Sequence, residues 1–257
     1  MADPENIANH DEAAFHRDGY LVRRGVLARQ QIDEIKEFIR ASLDPLVGPA
    51  EFEADVGYPG SPPSRSAPGG ETPRRLLHAY ARSPLLQALA RHPLVCEQLT
   101  RLIGSEPLLS QCHHNCVMTK HPGFSSATLW HQDIRYWRFD RPELISAWFA
   151  LGEEYHHNGA LLVIPGTHRH EFEPGRLDRG LFLRPELEEN KALVEQAVPV
   201  ELNAGDVMLF HCRLFHAAGK NTTDNVKLSP VFTYHAADNH PIPDTRSAAF
   251  PSIQLSD

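Results

Sequence analysis

Apolar residues follow a helical spacing in the first part of the chain and a strand spacing after Gly104. Ile32, Ile35 and Ile39 fall on one face of a helix predicted for residues 28–42, whose other face is charged. Beyond Gly104, short apolar segments alternate with polar turns, which is typical of strands. Helices followed by many strands predict a mainly β fold with flanking α-helices. The expected form is a double-stranded β-helix, or cupin-like jelly roll, with an N-terminal helical layer.

The same patterns predict the bounds of the other elements. A helix over residues 11–18 ends at Gly19, and proline in the first turn marks helices that begin at Ser83-Pro84 and His92-Pro93. A further helix is predicted for residues 186–196. Asn158-Gly159 is a turn sequence that favours a hairpin. The predicted strands cover residues 20–24, 108–120, 144–151, 160–164, 198–202, 207–211 and 226–235.

Residues 48–73 differ from the rest of the chain in composition. Eleven of these 26 positions are Gly or Pro, and few residues there could pack in a core. Loops of this length in compact domains are usually lids or lack order. We predict a mobile segment near the mouth of a pocket.

Bulk properties indicate one domain over residues 1–257. The formal net charge of −8 argues against a nucleic-acid partner or an anionic membrane surface. The polar, acidic N-terminus does not resemble a signal peptide, and no apolar run is long enough to span a bilayer. Four cysteines in such a chain are typical of reduced thiols. The cysteines and the terminus favour a cytoplasmic protein. We expect a monomer or homodimer whose partner is a small-molecule substrate.

Two segments contain residues that could bind a metal. Cys112-His113-His114-Asn115-Cys116 resembles half a zinc site, but it lacks a second ligand pair at finger spacing, and a strand explains it better. His131 and Asp133 lie two positions apart among strand-forming residues, so their side chains point to the same face. A second histidine would complete the two-His, one-carboxylate set that binds non-haem Fe(II). The other pair with this spacing, His16 and Asp18, falls in a helix-like stretch.

The missing histidine is sought in the segment 205–216, which contains His211 and His216. They are five residues apart and face opposite sides of a regular strand, so only one of them can meet the metal. Small residues follow His216 and would let the backbone pass close to a ligand, which favours His216 and leaves His211 as the alternative.

The chain resembles the phytanoyl-CoA dioxygenase family of Fe(II)- and 2-oxoglutarate-dependent oxygenases. The resemblance rests on residues 15–25, Trp130-His131-Gln132-Asp133, residues 158–168, and the segment that runs from Gly205-Asp206 through Phe210-His211 to His216 and Asn221. It implies that Fe(II) is held by His131, Asp133 and His216, that 2-oxoglutarate and O2 complete the site, and that Trp148 contacts 2-oxoglutarate.

One position departs from the family pattern. The family usually has an arginine eleven residues after the distal histidine, where it pairs with the far carboxylate of 2-oxoglutarate, and this chain has Lys227 there. Lysine is a point charge, whereas arginine is a two-pronged donor. Ser229 should share its strand face and help. We expect Lys227 and Ser229 to bind the cosubstrate.

The resemblance predicts hydroxylation of an unactivated C–H bond with release of succinate and CO2. Related halogenases replace the carboxylate ligand with a small residue, so the presence of Asp133 argues for hydroxylation. Arg135 shares strand parity with Asp133, so Arg135 and Tyr136 are predicted to bind the substrate, and the guanidinium suits an anionic one. The alternatives are a non-catalytic metal- or ligand-binding module on the same scaffold, and a cupin-like oxygenase that does not use 2-oxoglutarate.

Overall fold

A computed structural model describes residues 4–255 of the chain, with side chains from residue 11 onward. The helices are α1 (Pro4–Asp18), α2 (Arg29–Leu43), α3 (Ala79–Arg82), α4 (Pro84–Ala90), α5 (Pro93–Ile103) and α6 (Glu188–Val194). The strands are β1 (Tyr20–Arg23), β2 (Ala50–Phe52), β3 (Pro73–Leu77), β4 (Pro107–Leu109), β5 (Asn115–Lys120), β6 (Thr128–His131), β7 (Leu144–Phe149), β8 (Leu161–Val163), β9 (Val198–Pro199), β10 (Val207–His211), β11 (His216–Ala218), β12 (Lys227–Ala236) and β13 (Ile253–Gln254). No helix of the described residues is long and apolar enough to cross a membrane.

The strands form two antiparallel sheets. The larger sheet has the order β1-β10-β7-β12-β5-β3-β2, with β4 paired to β12 and β13 paired to β4. The smaller sheet has the order β6-β11-β8-β9. Apart from β2–β3 and β8–β9, neighbouring strands are not consecutive in sequence, which is the connectivity of a jelly roll. The predicted fold, with its helices in the N-terminal part, is confirmed.

The larger sheet is buried on both faces, and β7 shows how its sequence permits this. Ile145, Ala147 and Phe149 point to the helical layer, where they join a cluster that includes Ile39 of α2. Trp148 points the other way, into a second cluster that contains residues of β8. Alternation with a period of two therefore supplies one face to the helices and one to the interior between the sheets.

The predicted strand over residues 108–120 is wrong as a single element. It is divided into β4 and β5, which both pair with β12. Between them the chain bulges around Thr233, whose carbonyl accepts from Ser110 N at 2.9 Å and whose N–H donates to the His114 carbonyl at 2.7 Å. The bulge turns His113 and His114 inward, because it breaks the alternation of side chains along the strand.

Two further expectations need correction. Asn158-Gly159 does not close a hairpin, because β7 lies in the larger sheet and β8 in the smaller one, and Gly159 (φ +74°) ends a 3-10 turn between them. Residues 48–73 are not a loop throughout. β2 pairs with β3, and the buried Glu53 carboxylate accepts from Ser126 N at 3.0 Å.

Gly205 holds the turn before β10 against the start of α2. Its φ is +92°, and a Cβ added there would lie 2.7 Å from the Leu27 carbonyl oxygen, whose residue also donates its N–H to the Gly205 carbonyl. We expect Gly205→Ala to lower the free energy of unfolding by at least about 1–2 kcal/mol, measured by urea denaturation. Gly104→Ala is the matched control, since Gly104 has φ +77° but nothing within 4 Å of its added Cβ. Equal losses for both variants would show that the backbone clash is relieved at no cost.

Candidate metal centre

Two paired strands and one turn bring three potential metal ligands together. β6 and β11 are antiparallel neighbours in which His131 lies directly opposite His216. Asp133 follows at the first position of a 3-10 turn, Asp133–Tyr136. That turn is fixed by the Ile134 N–H, which donates to the Cys212 carbonyl at 3.0 Å. Side chains 85 positions apart in sequence, His131 and His216, are thus brought together with Asp133.

The distances within this triad fit a single cation. Asp133 Oδ1 lies 3.6 Å from His131 Nε2 and 3.8 Å from His216 Nε2, and the two imidazole centroids are 4.2 Å apart. One ligand atom from each residue lies within 4.8 Å of the others, and all three residues are buried. They are the one group of this kind among the described residues.

Backbone carbonyls set the tautomer of both imidazoles. His131 Nδ1 lies 2.8 Å from the Leu129 carbonyl oxygen, and His216 Nδ1 lies 3.0 Å from that of Leu214. A carbonyl oxygen can only accept, so each Nδ1 carries the hydrogen. The lone pair of each Nε2 is left facing Asp133, which is the arrangement that metal-binding histidines adopt.

Burial tunes the protonation of the triad. It lowers the pKa of His216 to about 4, helped by the neighbouring His131. Burial alone would raise the pKa of Asp133, but His114 and His216 outweigh it and the pKa is lowered. At neutral pH the site therefore presents a carboxylate and a neutral His216 imidazole, the protonation states that bind metal.

The electrostatics of Asp133 test whether a cation fits. Its Oδ2 is buried and accepts no hydrogen bond from the described residues. His114 Nδ1 is 3.6 Å from this oxygen and lies closer, at 3.3 Å, to Ser146 Oγ. A buried carboxylate oxygen without a partner is costly, and a metal ion would satisfy it. Two nitrogen donors and one carboxylate are the donor set of facial Fe(II) sites.

A pocket opens from the triad between the two sheets. Its walls combine apolar side chains with several cationic ones. They include Arg74, Arg75, His114, Met118, Lys120, His131, Trp148, Leu161, Phe210, His216 and Lys227.

The predicted cosubstrate residues lie together but already share a partner. Glu154, 2% exposed, accepts from Lys227 Nζ at 2.9 Å, from Ser229 Oγ at 2.6 Å and from Trp148 Nε1 at 3.0 Å. Lys227 Nζ also lies 4.9 Å from the Trp148 ring centroid. Lys227 and Ser229 share one strand face, as predicted.

The parity argument for Arg135 is wrong. The chain leaves the strand after His131, so Arg135 lies in a 3-10 turn where alternation does not apply. The Arg135 guanidinium lies 5.8 Å from the Phe215 ring centroid and is not part of the described pocket wall. Tyr136 lies closer to the triad, with its ring centroid 6.3 Å from that of His131 and its hydroxyl donating to the Gly180 carbonyl at 2.6 Å.

Aromatic side chains line the approach to His131. The Phe182 ring lies 5.9 Å from the His131 ring and 5.6 Å from that of Tyr58. Tyr58 belongs to the Gly- and Pro-rich segment, so that segment does lie beside the site. Its mobility stays a prediction.

His211 lies at the end of β10, where its ring contacts α1 rather than the triad. It contacts the rings of Phe15 and His168, at 6.4 and 5.3 Å between centroids, and its Nδ1 accepts from the Arg213 N–H at 3.1 Å. Burial and the nearby His168 lower its pKa to about 3. His211 is therefore outside the triad, and the choice of His216 agrees with the geometry.

Three residues at the site were not predicted from the sequence. His114 contacts Asp133, Glu154 holds the predicted anchor, and Lys120 lines the pocket opposite Lys227 in the register of β5 and β12. Of the three, only Lys120 could have been found from the sequence. Pairing of its strand with the strand of Lys227 would have placed the two lysines side by side.

Comparison with known proteins identifies the family. A family model described as phytanoyl-CoA dioxygenase (PhyH) matches residues 15–229, which include the triad and the Lys227–Glu154 pair. The chain belongs to the phytanoyl-CoA dioxygenase family. Its predicted class, an Fe(II)- and 2-oxoglutarate-dependent dioxygenase, is confirmed.

Individual relatives of this family member are distant. Ectoine dioxygenase of Sphingopyxis alaskensis is 26% identical over 250 residues, which cover 91% of this chain and 77% of the relative. Human peroxisomal phytanoyl-CoA dioxygenase is 31% identical over 152 residues, 55% of this chain and 44% of the relative. At these levels of identity and coverage, the names of the two relatives do not identify the substrate of this chain.

Solved structures share the fold. The non-haem alpha-ketoglutarate-dependent epimerase SnoN from nogalamycin biosynthesis superimposes with a TM-score of 0.74 at 26% identity, covering 94% of this chain and 87% of that one. EctD from S. alaskensis with 2-oxoglutarate and 5-hydroxyectoine gives a TM-score of 0.74 at 22% identity, covering 94% and 80%. At 22% identity, the similarity to EctD shows the fold alone.

Proposed function

We propose that this dioxygenase hydroxylates an unactivated C–H bond of a small organic substrate, with release of succinate and CO2. The observation that carries the proposal is the buried triad of His131, Asp133 and His216, which retains the carboxylate ligand at the mouth of a pocket. A complete ligand set supports catalysis over a non-catalytic binding module. The name of a 26% identical relative, ectoine dioxygenase, supports an oxygenase that acts on a small molecule.

The residues of the chain have distinct roles in this proposal. His131, Asp133 and His216 hold Fe(II) through two imidazole nitrogens and one carboxylate. 2-Oxoglutarate occupies the pocket whose wall contains Trp148, Lys227 and, behind them, Ser229. When bound there, iron and 2-oxoglutarate would supply the oxidising chemistry that C–H hydroxylation with O2 requires.

The protein contributes orientation and exclusion of water. The carbonyls of Leu129 and Leu214 fix the two imidazoles, so that both Nε2 atoms point to one place. Phe210, Leu161 and Trp148 give the pocket apolar walls between the sheets. An apolar enclosure keeps bulk water from the reacting atoms.

The substrate enters, we propose, past the aromatic side chains at the mouth. Phe182 and Tyr136 lie beside the His131 ring, Tyr58 packs against Phe182, and the three rings suit a substrate with apolar or ring surface. An acidic group on the substrate would pair with Arg135, which forms no ion pair with any described residue. Arg135 and Tyr136 thus remain the proposed substrate-binding residues, at the rim rather than in the pocket wall.

Succinate formation tests the proposed function. Purified protein with Fe(II), ascorbate and 2-oxoglutarate should form succinate slowly, and a metabolite library should reveal compounds that raise the rate. Iron-depleted protein is the control. Failure to bind 2-oxoglutarate at about 1 mM, the upper end of ordinary KM values, would remove the proposal. If the rate of oxygen consumption were the same with and without 2-oxoglutarate, an oxygenase that does not use this cosubstrate would be favoured.

A further inference from the structure

The pocket wall contains four cationic side chains, and three of them lie beside carboxylates. Arg74 Nε and Arg75 Nε lie 3.4 and 3.3 Å from the same Glu51 carboxylate oxygen, and Arg74 Nη1 lies 3.9 Å from Glu53 Oε2. Lys227 is paired with Glu154. An incoming carboxylate would therefore find little free charge on these three groups.

Lys120 is the exception. It is 9% exposed, and its Nζ donates to the Ser126 carbonyl at 3.2 Å but forms no ion pair with any described carboxylate. Its stem fits against Gly159, where an added Cβ would lie 2.8 Å from the lysine Cδ and Cε. Lys120 is opposite Lys227 in the pairing of β5 with β12, and both line the pocket that contains His131 and His216.

We propose that Lys120, rather than Lys227, supplies the positive charge that binds the far carboxylate of 2-oxoglutarate, and that Glu154 keeps Lys227 neutralised. This inference rests on the proposed function, which places 2-oxoglutarate in this pocket. A buried ammonium without a counter-ion is unfavourable, and a bound carboxylate removes that cost. The Glu154–Lys227 pair needs no such partner, because Ser229 and Trp148 complete its hydrogen bonds. Glu154 is thus a positioning residue: by pairing with Lys227, it leaves Lys120 on β5 to bind the far carboxylate.

The environment of Lys120 adds a pH signature. Burial, and then the charges of Lys227 and Arg74, lower the pKa of Lys120 to about 7, against the opposing effect of Glu53 and Glu154. A bound carboxylate beside the amine would raise that pKa. Binding of 2-oxoglutarate should therefore take up close to one proton at pH 8, where the free amine is mostly neutral, and much less at pH 6.

Calorimetric titration of the Mn(II)-loaded protein tests the inference without turnover. 2-Oxoglutarate is compared with 2-oxopentanoate, which has a methyl group in place of the far carboxylate. We expect wild-type protein to prefer 2-oxoglutarate by about tenfold or more, the size of one charged hydrogen bond. Lys120→Met should lose this preference and the proton uptake at pH 8, measured from the dependence of the heat on the buffer. Lys220→Met, at an exposed lysine, is the matched control and should keep both.

Two further variants keep the test decisive. The double variant Glu154→Gln/Lys227→Met leaves Lys120 in place and should keep the preference. Glu154→Gln alone frees the charge of Lys227 and should tighten 2-oxoglutarate binding by several-fold. Loss of the preference in the double variant, with retention in Lys120→Met, would overturn the inference and make Lys227 the anchor. Equal weakening of both oxo acids by Lys120→Met would also overturn it, as a purely structural role. Wild-type protein that binds neither oxo acid would refute the proposed function itself.

Discussion

Replacement of His216 by glutamine should weaken the binding of Mn(II) or Fe(II) by more than about 100-fold. Loss of groups that merely orient a metal ligand costs about 10–100-fold, so loss of a ligand should cost more. The Leu214 carbonyl holds His216 Nδ1, whereas the amide nitrogen of glutamine only donates hydrogen and offers no lone pair to the metal. Calorimetric titration of the metal measures the change, and succinate formation should fall with it.

His211→Gln is the matched control for this prediction. His211 precedes His216 by five residues and belongs to the same β10–β11 segment. Burial lowers its pKa, as it does that of His216. Its ring contacts lie with Phe15 and His168, away from Asp133, so metal affinity should stay within about twofold of wild type, well inside the effect of an orienting group. Equal losses in both variants would indicate that the β10–β11 segment is disturbed as a whole and would contradict the triad.

Two members of the triad were predictable because their signal is local. His131 and Asp133 stand two apart in a stretch of strand-forming residues, whereas the small residues after His216 only favour it over His211, and the family resemblance decided between them. The apolar period likewise predicted the order of helices and strands, because each element buries one face or both and its sequence must repeat accordingly. These features depend on neighbours within a few residues.

The errors arise where the backbone departs from regular geometry. Alternation along a strand assumes that the strand continues, but the chain turns at Asp133, so Arg135 does not share the face of the ligands. The bulge between β4 and β5 similarly carries His114 to the metal centre. No local pattern marks either point, since both are set by hydrogen bonds to distant segments, Cys212 in one case and Thr233 in the other.

Glu154 illustrates what could not be predicted. It follows another glutamate in a polar turn, and its partners Lys227 and Ser229 are 73 and 75 residues away. Only the crossing of the chain from the larger sheet to the smaller one brings its carboxylate under β12. A substitution of arginine by lysine could be seen in the sequence, whereas the internal carboxylate that accompanies it could be seen only in the fold.

Replacement of Lys227 by methionine should lower the free energy of unfolding by about 3–5 kcal/mol, the usual cost of leaving one member of a buried ion pair without its partner. Glu154 is 2% exposed and Lys227 is 8% exposed, so the carboxylate left without its ammonium would have little contact with bulk water. Ser229 and Trp148 would still donate to Glu154 Oε1, but Oε2 would lose its donor. Urea denaturation at neutral pH measures the change.

The double variant Glu154→Gln/Lys227→Met separates the charge from the packing. A neutral amide at position 154 can still accept from Ser229 and Trp148 and leaves no buried charge beside the methionine. Exchange of a buried ion pair for neutral groups of similar volume is often close to neutral in stability, so we expect the double variant to lie within about 1–2 kcal/mol of wild type. The two single variants and the double variant form a thermodynamic cycle whose interaction free energy should be favourable for the pair. If Lys227→Met alone remained within about 0.5 kcal/mol of wild type, as for a surface substitution, Lys227 would not be neutralised by a buried Glu154. Lys227 would then be available to 2-oxoglutarate, and Lys120 would no longer be singled out as the unpaired cation of the pocket.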